Sequence, residues 1–463
     1  MQLNRALLVK FFLELRASYW FVPSVMVLGS VVLSVFTIWL DAQFSDDWPR
    51  EVPFIFSNQA EGARSLLATV AGSMITVAGV TFSLTLLAVS HATGQFGPRL
   101  LNNFMRDRGN QVTLGTFVST FIYCLLVLRT VRSADEQSTG DPSLDSFGAF
   151  VPHISVTLGL VLALCSVGVL IYFIHHVPES IRLSHVVSDV GRQLCDAIDE
   201  LFPEMIAQPE ERVAEQPQED PVPDDFYRQA IPIRRKQSGY VQSIDDAGLL
   251  DLAKKRDVAI FIKHRPGDFY SQGTPLILVS PAENVTEEDR DQLQLLFALG
   301  DRRTLSQNAT FAVDQLVQVA QRALSPGVND PQTAVVCLDW LKVGLLELAR
   351  RRTPSEYRFD EDGDLRVFTR PQAFCEFCDR VFDQLRQYVA ADRNATFHMM
   401  AMINDLEAVV TEQRQRACLV RHSEKLLDAF STAGHPDFEV QTLRGIKSKS
   451  VEKEFPISAA PVA

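Results

Sequence analysis

Leu66-Leu-Ala-Thr-Val-Ala-Gly-Ser-Met-Ile-Thr-Val-Ala-Gly-Val-Thr-Phe-Ser-Leu-Thr-Leu-Leu-Ala-Val-Ser90 carries no Asp, Glu, Lys or Arg along its whole length. A helix rises about 1.5 Å per residue, so roughly 20 apolar residues cross a hydrocarbon core about 30 Å thick. The stretch meets that length, and so do Phe21 to Leu40 and Val151 to Ile174. Thr113 to Leu128 is shorter, but Val112 and Arg129-Thr130-Val131 complete it, with the arginine snorkelling outward. Four such runs in succession, none with an internal acid or lysine, predict an α-helical membrane domain of four transmembrane helices over residues 1–176. The lipid bilayer is then the first partner of the chain.

The first run follows Arg5, Lys10 and Arg16 and is too long for the apolar part of a cleaved signal peptide. It reads as an uncleaved anchor, with Tyr19, Trp20 and Trp39 at its two interfaces. Arg99, Arg106 and Arg108 give the second loop the same positive bias as the N-terminus. The first loop instead holds Asp41, Asp46, Asp47, Glu51 and Glu61, and the third holds Asp135, Glu136, Asp141 and Asp145. Lys and Arg are retained on the cytoplasmic side, so both termini and the soluble half are expected in the cytoplasm, at the cell inner membrane. The net charge of −13, with no dense basic stripe, excludes nucleic acid as a partner, since that binding needs many phosphate contacts. Cys124, Cys165, Cys195, Cys337, Cys375, Cys378 and Cys418 all fall outside the two expected external loops, which suits a reduced face and not a disulfide framework.

In the second span Ala68, Gly72, Thr76, Gly79 and Ser83 recur at steps of four, four, three and four, placing small residues along one helix face. Such a face lets helix backbones approach closely in lipid; the alternative is that, with Thr69, Ser73 and Thr85, it lines a narrow path or moves as a gate. The fourth span repeats the device with Ser155, Gly159, Ala163 and Ser166. No carboxylate, Lys or Arg lies mid-span, which disfavours a proton- or sodium-coupled carrier. A channel needs no buried charge, but four helices do not enclose a pore alone, so that reading requires a homo-oligomer. Gly94, Gly97 and Pro98 are expected to break the helix and start an interfacial elbow that sets Leu100, Leu101, Phe104 and Met105 against the arginines. His175 and His176 at the end of the fourth span are too few donors for a metal.

The soluble half is expected to be an α+β cytoplasmic domain, a small β-barrel-like module followed by a helical bundle. Residues 177–227 read as a connecting helix and an acidic Pro-rich linker. Residues 228–284 carry short β-type runs around Arg265-Pro-Gly-Asp-Phe-Tyr-Ser-Gln-Gly273, a turn-rich signature of a small barrel. Residues 285–432 are expected to be helical, with faces at Leu293, Leu296 and Phe297, then Phe311, Leu316, Val319 and Ala320, then Val335, Leu338, Leu341 and Leu345. Residues 433–463 show no core pattern and read as a disordered tail.

Between two of these helices stands Arg322-Ala-Leu-Ser-Pro-Gly-Val-Asn-Asp-Pro-Gln-Thr-Ala334. Pro326-Gly327 turns the chain, Asp330 can N-cap the next helix, and Pro331 suits its first position. The segment nonetheless concentrates Arg322, Ser325, Asn329, Asp330 and Thr333, more polar groups than a corner needs. A helix N-terminus beside an arginine suits a small anion, whereas Asn and Asp with carbonyls suit a hard cation; both stay open. No phosphate loop, dinucleotide fingerprint or His-Glu-x-x-His occurs, so no catalytic residue, metal ligand or cofactor is expected, and the chain is not read as an enzyme. Cys375-Glu-Phe-Cys378 lacks a second pair and reads as core packing.

That corner string resembles the hallmark of a bacterial membrane-protein family known as domain of unknown function 2254. Thr81-Phe-Ser-Leu-Thr-Leu, Gln95-Phe-Gly-Pro-Arg99, Gly239-Tyr-Val-Gln and Arg303-Thr304 with Gln307 are similar to it as well. The resemblance implies four spans and a cytoplasmic domain, without an established activity, and adds Arg303 and Gln307 to the ligand-site candidates. Asn308 stands where the family favours Asp, and Gly97 where it favours Ser. The leading expectation is a homo-oligomeric channel-like or transport-related protein with a cytoplasmic regulatory domain. The alternative is a membrane-tethered ligand sensor or interaction scaffold without a pore.

Overall fold

A computed structural model describes residues 20–43, 60–96, 107–132, 150–180, 183–203 and 221–452. The chain forms two compact units, Met1–His185 and Val186–Ala463. In the first, α1 (Phe21–Gln43), α2 (Ala60–Phe96), α3 (Arg108–Leu128) and α4 (His153–Ser180) are, among the described residues, the helices long and apolar enough to cross a membrane. Gly94 does not break α2, which continues to Phe96; the elbow at 97–106 lies outside the described residues.

Helix α3 packs against α1, α2 and α4, and half of its span is buried, against 22–28% for the others. Close approach is possible because a Cβ on Gly115 would meet Met26 Sδ at 2.5 Å and Pro23 Cα at 3.3 Å. Polar groups at both ends of the bundle find partners, although the buried Asn110 side chain of α3 meets none among the described residues. Asp41, at the end of α1, accepts hydrogen bonds from Ile154 N (2.8 Å), Ser155 N (2.9 Å) and Ser155 Oγ (2.6 Å), capping α4. Tyr123 OH donates to the Ser155 carbonyl at 3.1 Å and lies 3.0 Å from Thr37 Oγ1. At the opposite end Asp107 caps α3 through Gly109 N (2.6 Å) and meets His176 Nε2 at 2.8 Å, with Tyr172 stacked on that ring.

The second unit opens with α5 (Leu183–Leu201), whose Val187, Val190, Leu194 and Ile198 are buried, and α6 (Phe226–Gln229). Strands β1 (Ile231–Ile233), β2 (Gly239–Ile244), β3 (Ala259–Ile262), β4 (Phe269–Tyr270) and β5 (Ile277–Ser280) follow, with α7 (Asp246–Arg256) after β2. Helix α8 (Glu287–Leu295) then leads to strand β6 (Phe297–Gly300). The bundle comprises α9 (Thr310–Ala323), α10 (Pro331–Ala349), α11 (Phe374–Val389), α12 (Arg393–Val409), α13 (Gln413–Thr432) and α14 (Asp437–Glu452), interrupted by β7 (Tyr357–Phe359) and β8 (Leu365–Thr369).

The expected barrel does not form. Among the described residues the strands make two open sheets, β1-β5-β3-β8-β7 and β4-β2-β6. The first is completed by β8, which pairs parallel to β3 in the register Ile260↔Val367 and comes from the stretch expected to be helical. Phe297, expected on a helix face, begins β6 and pairs with Ile244. Both sheets and α7 and α8 share one core that includes Val241, Leu249, Ile260, Tyr270, Val279, Leu293 and Val367. The chain after Thr432 is also ordered through α14, where Val440 and Leu443 are buried and Asn404 Nδ2 donates to the Ile446 carbonyl at 3.0 Å. Its apolar spacing was too sparse to register as a core face. Residues 204–220 of the expected linker and 453–463 of the tail lie outside the described residues.

Candidate functional site

The residues expected to form one ligand site occupy two places. At the C-terminal end of α9, Ser325 Oγ donates to the Arg322 carbonyl at 2.6 Å and Asn329 adopts φ +49°. Asp330 caps α10, accepting from Thr333 N at 3.2 Å and from Thr333 Oγ1 at 2.6 Å. Pro326, Gly327, Val328 and Asn329 project from the surface as an exposed turn. Arg303 and Gln307 lie before the start of α9, whose 14 residues extend over about 20 Å.

At that start the side chains lock a loop. Gln307, at φ +52°, accepts from Ile244 N at 2.8 Å and donates to Ile244 O at 3.0 Å, pairing with β2 as a strand would. Arg303 pairs with the buried Asp314 and donates to Thr310 Oγ1 at 3.1 Å, while Arg380 reaches both Asp314 oxygens at 3.0 Å. Asn308 is fully buried and accepts from Thr310 Oγ1 at 2.7 Å. It packs so closely on the Arg265–Asp268 turn that a Cβ on Gly267 would sit 2.2 Å from its Nδ2.

The α2 face faces outward. Ala68, Gly72, Thr76, Gly79 and Ser83 are all exposed on the bundle, and among the described residues no other element comes within 4 Å of a Cβ built on Gly72 or Gly79. Their hydroxyls turn back on the helix: Thr76 Oγ1 donates to Gly72 O at 2.8 Å and Ser83 Oγ to Gly79 O at 2.9 Å. The α4 counterpart faces inward, with Ser155 and Ser166 buried, and a Cβ on Gly159 would lie 3.2 Å from Leu67 Cδ2. Beside the outer face, an open apolar groove of about 520 Å³ runs between α1, α2 and α3, lined by Val27, Val31, Ile75, Phe82 and Leu114.

A third grouping is one the sequence reading set aside. Cys375 and Cys378 occupy the first turn of α11, and Cys418 and His422 lie one turn apart on α13. Cys375 Sγ donates to the Arg414 carbonyl of α13 at 3.9 Å, and Arg421 Nη2 donates to Cys418 Sγ at 3.5 Å. Hydrogen bonding from Cys378 first, then from His422 and Cys375, holds the Cys418 thiol down at about 4 against the pull of burial, while burial pushes Cys375 up to about 11. Cys418 and His422, four residues apart on α13, are members of this grouping that the sequence reading does not single out.

Comparison with known proteins agrees with the four spans. The family described as "Predicted membrane protein (DUF2254)" matches residues 16–405. The "Uncharacterized protein Rv1290c" of Mycobacterium tuberculosis is 31% identical over 382 residues, covering 80% of this chain and 70% of the relative. The "Uncharacterized protein Mb1321c" of Mycobacterium bovis is similar to the same extent, 31% identical over 382 residues with 80% and 70% of the two chains covered. No solved structure matches the chain. With a match running from the first span to the α12 helix, the chain belongs to the DUF2254 family of predicted membrane proteins.

Proposed function

We propose that this protein is a homo-oligomeric, channel-like or transport-related protein of the inner membrane, with its second unit cytoplasmic and regulatory. The observation that carries the reading is the outward α2 face. Gly72 and Gly79 leave a close-approach surface that the described residues of the chain do not cover, and Thr69, Ser73, Thr76 and Ser83 place hydroxyls along it. Lipid tails gain nothing specific from such a face, whereas a second helix gains dispersion contacts and weak hydrogen bonds from it. Copies arranged about an axis with this face inward would supply the hydroxyl lining a pore needs without a buried charge. The excess of Arg and Lys at the N-terminus and second loop supports the cytoplasmic orientation.

The test is ion flux into liposomes containing the full-length protein, read together with its mass in detergent. Gly72→Leu with Gly79→Leu is expected to dissociate the assembly and abolish flux, while Gly62→Leu, outside the face, changes neither. A wild-type monomer without conductance overturns the reading. A second reading, a tethered sensor or scaffold without a pore, draws on the exposed Pro326–Asn329 turn with Val328 at the surface. A stable oligomer that conducts nothing, yet gains stability from an added anion or cation only when Asn329 and Asp330 are intact, would favour it.

A further inference from the structure

Arg265-Pro-Gly-Asp-Phe-Tyr-Ser-Gln-Gly273 serves neither the spans nor the corner between α9 and α10. Gly267 and Gly273, at φ +95° and +92°, bend the chain on either side of the two-residue β4. Strand alternation there sends Tyr270 into the core and leaves Phe269 54% exposed, its ring 5.1 Å from that of Tyr240. The same end of the β module carries Arg234, Lys236 and Lys263, all exposed and in no ion pair among the described residues. We propose that this end is a docking surface for anionic phospholipid, with Phe269 entering the headgroup layer and the three cations meeting lipid phosphates.

Hydrogen bonds fix these parts to one another. Tyr270 OH accepts from Arg235 N at 2.8 Å and lies 3.0 Å from Arg235 O and 3.1 Å from Thr274 O. Gln272 N donates to Ser238 Oγ at 2.9 Å, and Arg234 Nε donates to Gly273 O at 3.0 Å. Leu276 N donates to Ile233 O at 2.8 Å and Leu276 O accepts from Lys263 N at 3.3 Å, which sets Lys263 next to the start of the β1–β2 connection. Asp268, the acid of the stretch, is turned to the Arg265 amide at 2.8 Å, and Asp301 has Arg302 beside it in the chain. In a chain of net charge −13, this end is positive.

One exposed ring is ordinary on a protein surface, and scattered lysines are a solvated face. Their rigid conjunction matches what a bilayer surface offers. Apolar side chains enter the headgroup boundary, and an anionic leaflet attracts each Lys or Arg within a Debye length, about 10 Å at 0.1 M salt. A stable protein interface buries roughly 800 Å² on each side around an apolar core, which one ring does not provide. Nucleic acid needs many more phosphate contacts. The spans of the same chain hold this surface near a bilayer, so docking is intramolecular in effect and a few cations suffice. Only the identity of the leaflet rests on the orientation proposed above.

The test compares amide hydrogen exchange of the full-length protein in nanodiscs of phosphatidylcholine alone and of phosphatidylcholine with phosphatidylglycerol in equal parts. Amides of residues 234–240 and 269–274 should exchange more slowly in the anionic discs, and about 1 M salt should remove the difference. Arg234→Gln, Lys236→Gln and Lys263→Gln should each lower the docked-to-free ratio about 5-fold, and the three together should abolish the protection. Phe269→Ser should weaken it, while Lys255→Gln, on α7, should leave it as in the parent. Equal exchange in the two lipids overturns the proposal, and so does protection that survives in the triple variant. Inorganic phosphate that reproduces the protection in phosphatidylcholine discs would put the affinity in a soluble anion and overturn the membrane surface as well. None of these readouts depends on oligomerisation or flux, so loss of the channel reading would leave them intact.

Discussion

At the scale of single residues, Asp330 separates capping from ligand binding. Its carboxylate already accepts from Thr333 N and Thr333 Oγ1, so Asp330→Ala should cost about 1 kcal/mol through the lost cap. Asp330→Asn keeps an accepting oxygen and should recover most of that in thermal unfolding; a cation held by Asp330 would give no such rescue. Gly267 makes the opposite kind of demand. Its φ of +95° and the 2.2 Å approach to Asn308 Nδ2 leave no room for a methyl group, so Gly267→Ala should cost about 1–3 kcal/mol. Asp289 brings pH dependence. Burial raises its pKa, but the Thr286 hydroxyl and amide and the Arg256 guanidinium outweigh that and hold it below the usual 3.8. A carboxylate depressed on folding stabilises at neutral pH and loses that contribution as pH falls through its folded value. The melting-temperature gap between the parent and Asp289→Asn should therefore be widest at neutral pH and shrink below about pH 4.

At the scale of elements, two glycines decide how α5 crosses α10. A Cβ on Gly191 would fall 2.3 Å from the Trp340 ring, and one on Gly344 would fall 2.5 Å from Leu194. Gly191→Ala should cost about 1–3 kcal/mol, and Trp340→Leu in the same chain should restore part of it, a coupling that a double-mutant cycle measures. The spans were legible because partition into lipid acts on the composition of one continuous segment. The open sheets were not, because the β8 partner of β3 lies far along the chain and short β runs do not name their neighbours. The α2 periodicity was legible, but not its outward aim, which depends on Leu67, Ala71, Met74 and Ala78 filling the bundle side. Asp330 as a cap could be read locally; the separation of Arg303 from Arg322 required the whole length of α9. The meeting of Asp379 with Cys418 and His422 is likewise not legible, since the residues share no local spacing and come together only where α11 packs on α13.

At the scale of the molecule, the outer face of the first unit is incompatible with water. Leu28, Val32, Trp39, Leu164, Ile171 and Ile174 are each more than half exposed, and apolar surface in water costs roughly 25 cal/mol per Å². The protein should therefore stay with the membrane fraction through an alkaline wash and leave it only with detergent. Four crossings also impose a parity: the chain must return to the side on which it began. Reporters fused at the N-terminus and after Glu452 should thus report the same side, and one inserted between Arg132 and Phe150 the other. With Arg99, Arg106 and Arg108 on the second loop, the shared side is expected to be the cytoplasm, since retained positive charge sets orientation. Replacing the three with Gln should weaken that preference and produce a mixed population in protease protection, whereas removing acidic residues from the third loop should change little. Termini found on opposite faces would mean that one of the four helices, the short α3 first among them, does not cross.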